Sequence, residues 1–312
     1  MATLKELVRR EELFTGGHRA CAGCGFPVAS KLALKAAKNP VVVACATGCM
    51  EVATTIYPYT AWNCSFIHSA FENAAASISG VEAAYRGLTR RGKLEGKFDF
   101  IAFGGDGGTY DIGFQALSGA MERGHNILYI CYDNGAYMNT GIQRSSATPF
   151  GSHTTTTPAG RVSQGKKQTR KDLTAIIAAH DVPYAAQAII GNWNDYVKKV
   201  EKALAVDGPA FINVLAPCRL GWGYRPEDTI SIAQEAVQCC FWPAYEVENG
   251  KWRITIKPRE KTPVVDWLKK QARFRHLFRP GNEQLLEEIQ AEVDRKWAAL
   301  LKRCEESAEL SA

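Results

Sequence analysis

Two stretches of the chain set glycines beside acidic or amide side chains at the ends of apolar runs, a setting suited to phosphate and a hard cation. The first, Phe103-Gly104-Gly105-Asp106-Gly107-Gly108, closes an apolar strand pattern and leads through Asp111-Ile112-Gly113 into a helix pattern. Glycines there let the backbone come close to a phosphate and leave the N–H groups of the turn free to bind it. An aspartate in the turn can give magnesium one carboxylate oxygen, with phosphate oxygens and water completing the octahedron. The second stretch, Tyr132-Asp133-Asn134-Gly135-Ala136-Tyr137-Met138-Asn139, begins where the next strand pattern ends. Asn134 can add a side-chain oxygen and Ala136 a backbone carbonyl opposite Asp106. A lone Gly-Asp-Gly also fits an ordinary strand-to-helix turn; the ordered pair is a much narrower pattern.

The ten cysteines are many for a reduced intracellular chain without a task, and 312 residues with 46% hydrophobic content are too many for a disulfide scaffold. Cys21-Ala22-Gly23-Cys24-Gly25 is a compact Cys-x-x-Cys on small residues, open to reading as a metal centre, a redox dithiol or a packing accident. Without a second close pair, a zinc ribbon is disfavoured. Cys49 follows the apolar run Val41–Ala46, and Cys218 follows Ala210–Leu215. In a parallel sheet these ends lie on the same edge as the glycine loop, where open α/β sheets bind ligands. Four cysteines then gather there, the number a [4Fe-4S] cluster requires. Cys45 and Cys131 sit inside apolar runs and read as small core residues, while Cys64, Cys239, Cys240 and Cys304 follow no pattern.

The elements that must position these residues alternate strand and helix. Strands are expected at Val41–Ala46, Phe98–Phe103, Ile127–Tyr132, Tyr184–Ala188 and Ala210–Leu215, and helices at Pro27–Ala37, Ser69–Gly87, Gly113–Arg123, Asp172–His180 and Asn194–Ala205. That alternation predicts an α/β fold, doubly wound around a mainly parallel sheet. The polar stretch Ser145–Arg170 has neither period; at that length it reads as an active-site cover. Residues 1–223 form the expected cofactor domain. Residues 224–312 form a C-terminal extension for packing and subunit contacts, with a hairpin at Glu246–Ile256 around an Asn-Gly turn and an amphipathic helix at Glu283–Arg303.

The paired motif resembles that of thiamine-diphosphate enzymes. The longer string Tyr137-Met138-Asn139-Thr140-Gly141-Ile142-Gln143-Arg144-Ser145 resembles the β subunits of pyruvate:ferredoxin oxidoreductases, and the resemblance covers most of Gly16–Gly223. It implies the thiamine-diphosphate-binding fold, with Gly105, Asp106, Gly107, Gly108, Asn134, Gly135, Ala136, Tyr137, Met138, Asn139 and Cys49 about the cofactor. It further implies magnesium on Asp106, Asn134 and Ala136, a [4Fe-4S] cluster on Cys21, Cys24, Cys49 and Cys218, and Asn139 as the catalytic amide facing the reacting carbon. The activity implied is oxidative decarboxylation of a small 2-oxoacid, with one-electron transfer through the cluster to ferredoxin. The activating glutamate would come from an alpha-type, pyrimidine-half partner subunit, and a ferredoxin-type subunit would carry electrons onward. This chain departs from the family at Gly135, where relatives usually carry glutamate. A lost carboxylate would make the pocket less negative, which raises oxalate, without coenzyme A, beside pyruvate with it.

Two other functions compete: a cluster-free thiamine-diphosphate decarboxylase or synthase subunit, and a non-catalytic electron-transfer protein. The net charge of +6 is a mild bias, and its one cluster, Lys166, Lys167, Arg170 and Lys171, reads as a solvated loop edge, or less readily as a dock for an acidic ferredoxin. Nucleic acid is not an expected partner. With no apolar run of membrane-spanning length and no signal-peptide core at Met1-Ala-Thr-Leu-Lys-Glu, a cytoplasmic location without membrane attachment is expected. His180 and His68 read as hydrogen-bonded structural histidines, with His68 also placed to support the cofactor from behind.

Overall fold

A computed structural model describes residues 3–309. In chain order the helices are α1 (Leu4–Arg9), α2 (Gly25–Ala36), α3 (Cys49–Thr54), α4 (Ala74–Arg90), α5 (Phe114–Glu122), α6 (Leu173–Ala178), α7 (Trp193–Ala203), α8 (Arg219–Trp222), α9 (Thr229–Gln238), α10 (Val264–Lys269) and α11 (Glu283–Glu309). The strands are β1 (Val41–Ala46), β2 (Ser65–Ser69), β3 (Asp99–Gly105), β4 (Leu128–Asp133), β5 (Tyr184–Ile189), β6 (Ala210–Leu215), β7 (Ala244–Glu248) and β8 (Lys251–Ile256).

The strands form one eight-stranded sheet in the order β2-β1-β3-β4-β6-β5-β7-β8. The first six run parallel, and β7 and β8 join antiparallel to their neighbours. Strands β4, β5 and β6 are buried at every residue, as near-continuous apolar runs covered on both faces must be. One apolar layer joins α2, α7, α9 and α10 to one face of the sheet; a second joins α4, α5 and α6 to the other. The fold is therefore the expected doubly wound α/β sheet. The chain leaves β1 toward β2 and returns across it to β3, so the order reverses between β1 and β3. A crevice opens at the C-terminal ends of such strands, and there Cys49 and Gly105-Asp106 stand.

The expected strands appear close to their predicted bounds, but β2 was not anticipated, and α4 begins at Ala74 rather than Ser69. Strand β2 is a half-exposed edge with no alternating apolar pattern, so only its pairing with β1 marks it. The Asn-Gly hairpin is present: Asn249 and Gly250 both take positive φ between β7 and β8. Beyond residue 223 the chain adds these two strands to the sheet. Helix α11 contributes Ile289 and Val293 to one apolar layer and Leu300 to the other. Among the described residues no helix is long and apolar enough to cross a membrane.

Candidate functional site

Strand β3 runs out at Gly105, and the chain turns through Asp106 and Gly107 into a single π turn, Gly108–Ile112, closed by the Gly113 N–H donating to Gly108 O at 2.7 Å. Wide turns of this kind recur at functional sites. The glycines are spatially required: a Cβ on Gly107 would lie 2.3 Å from the Tyr137 ring, and one on Gly108 2.7 Å from the Phe71 carbonyl oxygen. Between this turn and the loop after β4 lies a cleft bordered by Gly105, Gly107, Gly108, Asn134, Ala136 and Asn139, with Thr47, Gly48 and Cys49 on its β1 side.

Three oxygens converge at the cleft's edge. Asp106 is fully buried, and the Asn134 side-chain oxygen stands 3.0 Å from Asp106 Oδ1 and 2.9 Å from the Ala136 carbonyl. Oxygens so close with no hydrogen between them repel. Turning the amide over would let its nitrogen donate to both; a cation would satisfy all three as they stand. Adjacent oxygens around an octahedral magnesium are about 3.0 Å apart, √2 times a metal–oxygen distance of about 2.1 Å. Burial, and then the neighbouring Asp133 carboxylate, push the Asp106 carboxyl well above its ordinary value, so a bound divalent charge would relieve real electrostatic stress.

The polar stretch after residue 144 does not cover this cleft; it braces it from behind. Ser145 Oγ donates to Asp106 Oδ2, Thr148 Oγ1 donates to the Gly135 carbonyl at 2.6 Å, and Lys166 Nζ donates to the Thr148 carbonyl at 2.6 Å. Arg170 donates to Asp133 Oδ2 at 2.8 Å, while Asp133 Oδ1 accepts from Gly135 N at 3.0 Å and shapes the start of the loop. The expected solvated basic edge is thereby corrected at Lys166 and Arg170, while Lys167 and Lys171 stay exposed. Lys166 is buried on the Thr148 carbonyl that this segment turns inward, and Arg170 is paired with the buried Asp133 carboxylate at the end of β4. No spacing in the sequence announces Ser145, Thr148 or Arg170 as support for the site.

The four cysteines border one cavity of roughly 430 Å³, beside the glycine cleft. Cys49 starts α3 just beyond β1, and Cys218 caps α8 just beyond β6, its sulfur accepting from Gly221 N at 3.5 Å. Cys21 and Cys24 flank a turn in which Cys24 N donates to Cys21 O at 3.0 Å and Gly23 takes φ +73. Two glycines let that turn reach the β6 end. A Cβ on Gly23 would lie 2.5 Å from Pro226 O, and one on Gly25 2.7 Å from the Ala216 carbonyl carbon. Burial pushes the Cys24 thiol up to about 12 and the Cys49 thiol up to about 11, so both keep their protons at neutral pH. Among the described residues no three His, Cys, Asp or Glu side chains converge as ligands of one single ion. Cys45 and Cys131 lie buried in their strands, away from this cavity.

Three residues border both spaces: Cys49, Met138 and Asn139. Met138 and Asn139 are held by a tight loop in which Tyr137 N and Gln143 N each donate to the other's carbonyl, at 2.9 and 3.1 Å, and β-branched Ile142 is forced to φ +62. A β-branched residue there is strained, and strain of this kind persists where the surroundings fix it. Met138 packs onto α8, where a Cβ on Gly221 would meet its sulfur at 2.3 Å.

Two of the expected cofactor residues do not border the cleft: Asp106 lies fully buried just behind it, and Gly135 faces elsewhere. Gly135 takes φ +77, and a Cβ there would point at Arg273 Nη1, 3.0 Å away, and at Pro149. His180 is structural, sharing hydrogen bonds with Ser118 Oγ at 2.8 Å and Ile176 O at 3.0 Å. His68 meets Thr47 Oγ1 at 2.7 Å, and Thr47 borders the cleft.

The sequence pattern of the family described as "Thiamine pyrophosphate enzyme, C-terminal TPP binding domain" matches residues 46–214. The chain is 56% identical to pyruvate synthase subunit PorB of Methanocaldococcus jannaschii, over 92% of this chain and 96% of that protein. It is 50% identical to the subunit of the same name from Thermotoga maritima, over 95% of this chain and 94% of that one. Ketoisovalerate oxidoreductase subunit VorB of Pyrococcus abyssi is 42% identical over 95% of this chain and 94% of its own length. Among solved structures, a 2-oxoglutarate:ferredoxin oxidoreductase from Magnetococcus marinus shares the fold, with a TM-score of 0.52 and 21% identity over 66% of each chain. The glycine turn, the loop after β4 and this extent of identity together make the chain a member of the thiamine pyrophosphate enzymes, through their C-terminal TPP-binding domain, and within them of the PorB family of pyruvate synthase subunits.

Proposed function

We propose that this chain is the thiamine-diphosphate- and [4Fe-4S]-binding subunit of a 2-oxoacid:ferredoxin oxidoreductase acting on pyruvate. The observation that carries the proposal is the shared wall of Cys49, Met138 and Asn139 between the glycine cleft and the cysteine cavity. When bound, thiamine diphosphate supplies the electron sink for decarboxylating a 2-oxoacid, and an adjacent cluster accepts electrons singly. A cluster-free decarboxylase has no use for four cysteines around one cavity. A bare electron carrier has no use for the glycine cleft.

The residues divide the work. Asp106 Oδ1, Asn134 Oδ1 and the Ala136 carbonyl would hold magnesium, with Ser145 fixing the far carboxylate oxygen of Asp106. Gly105, Gly107 and Gly108 leave room for the diphosphate beside the turn's N–H groups. Tyr137 packs beneath Gly107, and Asn139, on the shared wall, would present its amide to the reacting carbon of the bound cofactor. Cys21, Cys24, Cys49 and Cys218 would each give up a proton and take one iron; a cluster needs its thiolates spread around a volume, as these are, rather than converging on one point.

The matched family is a C-terminal TPP-binding domain, which supports a pyrimidine-half partner subunit that supplies the activating glutamate. A ferredoxin-type subunit, ferredoxin as acceptor and a cytoplasmic setting complete the reading, with the outer surface of residues 224–312 available for subunit contacts. Pyruvate is favoured by the names of relatives at 46–56% identity, against 42% for the ketoisovalerate enzyme. Nothing in the cleft favours oxalate over pyruvate. The carboxylate missing at Gly135 would point toward Arg273 rather than into the cleft, so its loss does not change the charge of the cleft wall.

The test is the anaerobically purified complex, assayed for viologen reduction with pyruvate and coenzyme A, 2-ketoisovalerate, 2-oxoglutarate and oxalate. Pyruvate should lead the others by roughly tenfold or more in kcat/KM, and Cys49→Ser should lose iron. No pyruvate-dependent reduction, or unchanged iron in that variant, would overturn the proposal.

A further inference from the structure

The guanidinium of Arg273 belongs to none of the roles above, yet it is buried between Trp222, at the end of the helix that Cys218 caps, and Gly135, in the loop after β4. The side chain is 5% exposed, in the 3-10 turn Ala272–Phe278 that follows α10. Its Nε donates to Gln271 Oε1 at 2.9 Å, while its Nη2 is buried without a hydrogen-bond partner. The plane lies 3.8 Å over the ring of Trp222, whose Nε1 donates to the Asn134 carbonyl at 2.6 Å. Trp222 ends α8, the helix that Cys218 caps, and the two segments are joined again where Ala272 N donates to Gly223 O at 3.4 Å. Gly223 has no Cβ because one would meet Ala272 Cβ at 2.5 Å.

A buried guanidinium with an orphan N–H is costly unless something negative lies within reach. Burial draws it down from its ordinary value without removing the charge at neutral pH, and the groups that act electrostatically to hold the charge are Asp133, Tyr224 and Cys218. Asp133 already accepts from Arg170, Tyr110 and Gly135 N. Tyr224 is neutral at neutral pH. That leaves the cysteine end of the cavity as the place where negative charge would appear, once Cys218 is a thiolate bound to iron.

We infer that Arg273 is a fixed counter-charge to the cluster, positioned by Trp222 and α8, that raises the cluster's reduction potential. The inference rests on the cluster reading above. A cluster gains one negative charge on reduction, and a cation in a poorly screened interior stabilises that form more than the oxidised one. Arg273 is a positioning residue: it touches neither substrate nor the reacting atoms, and it acts through the charge it holds against Trp222, the last residue of the short helix that Cys218 caps.

The experiment is a redox titration of the intact complex, followed by electron paramagnetic resonance, in wild type and in Arg273→Gln, Arg273→Met and Arg273→Lys. The relevant signal is the one that Cys218→Ser removes, which separates it from clusters on other subunits. In the Gln and Met variants that signal should titrate at more negative potential with iron content unchanged, and Lys should restore most of the shift. The Gln and Met variants both lose the Nε bond to Gln271 and the guanidinium's stack on Trp222, so the melting temperature of the complex can fall in either case; the potential is the discriminating readout, because a merely structural arginine would leave it where it was. An unmoved potential in Gln and Met, with iron intact, would overturn the inference alone. A wild-type complex with no iron signal assignable through Cys218 would overturn the cluster reading and this inference with it.

Discussion

The glycine cleft and the cysteine cavity lie side by side, but they are built in opposite ways. The cleft comes from two loops at the ends of adjacent strands β3 and β4, and its carboxylate is already gripped by Ser145 and the Asn134 N–H. The cavity draws on residues as distant as Cys21 and Cys218, and it closes only because glycines let backbones approach below ordinary Cβ contact. A site made from neighbouring strand ends is organised as soon as the sheet forms. A site gathered from remote segments depends on each clearance along the way, and it should fail separately.

The sharpest break in the comparison is Asp106→Ala. It removes the one full negative charge of the three-oxygen group, so magnesium-dependent thiamine diphosphate binding should weaken by roughly 100-fold or more, as measured by calorimetric titration of the complex. Iron should stay. Because burial and Asp133 push this carboxyl up, the cofactor-free variant should be as stable as wild type or more so. Cofactor affinity near that of wild type would remove Asp106 from the metal site.

The converse variant is Gly25→Ala, which drives a methyl into the Ala216 backbone at 2.7 Å. Overpacking of this kind costs on the order of 1–3 kcal/mol. Because the strain falls between the Cys21–Cys24 turn and the β6 end, iron content should drop while thiamine diphosphate affinity holds. Denaturant titration and iron analysis read both effects; a parallel loss of cofactor would show that the two regions are one unit.

The smallest effect belongs to Ser145→Ala, which leaves Asp106 with its Asn134 contact but frees its other oxygen. Support of a metal ligand from behind is commonly worth 10- to 100-fold in affinity. Cofactor affinity should fall within that range, below the Asp106→Ala loss. An effect equal to that of Asp106→Ala would mean that the hydroxyl holds the loop's shape as well as the carboxylate.

Much of this was legible from residues alone where the signal is local. Strand and helix periods located five of the six parallel strands, and the paired Gly-Asp-Gly and Asp-Asn strings pointed to loops that do border one cleft. Strand β2 escaped because a half-exposed edge carries no alternation to read. Lys166 and Arg170 were misread as solvated because a charge run looks the same on a surface as in an interior; only the carbonyls and the Asp133 carboxylate that face them decide which it is. Gly135 was assigned to the cofactor by its place in the motif, but its positive φ turns the missing side chain toward Arg273.

The sequence by itself determined the alternation that makes a doubly wound sheet, the edge at which its loops gather and the chemical type of each loop, because backbone periodicity and turn chemistry act over a few residues. Only the tertiary structure decided that Cys49, Met138 and Asn139 form one wall between two spaces, that hydroxyls from the polar stretch brace the cleft from behind, and that a tail arginine lies buried on Trp222 beside the Cys218 helix. Each of these depends on contacts between segments far apart in the chain, and on the direction in which a side chain leaves its backbone. Neither is written in the identity or spacing of the residues.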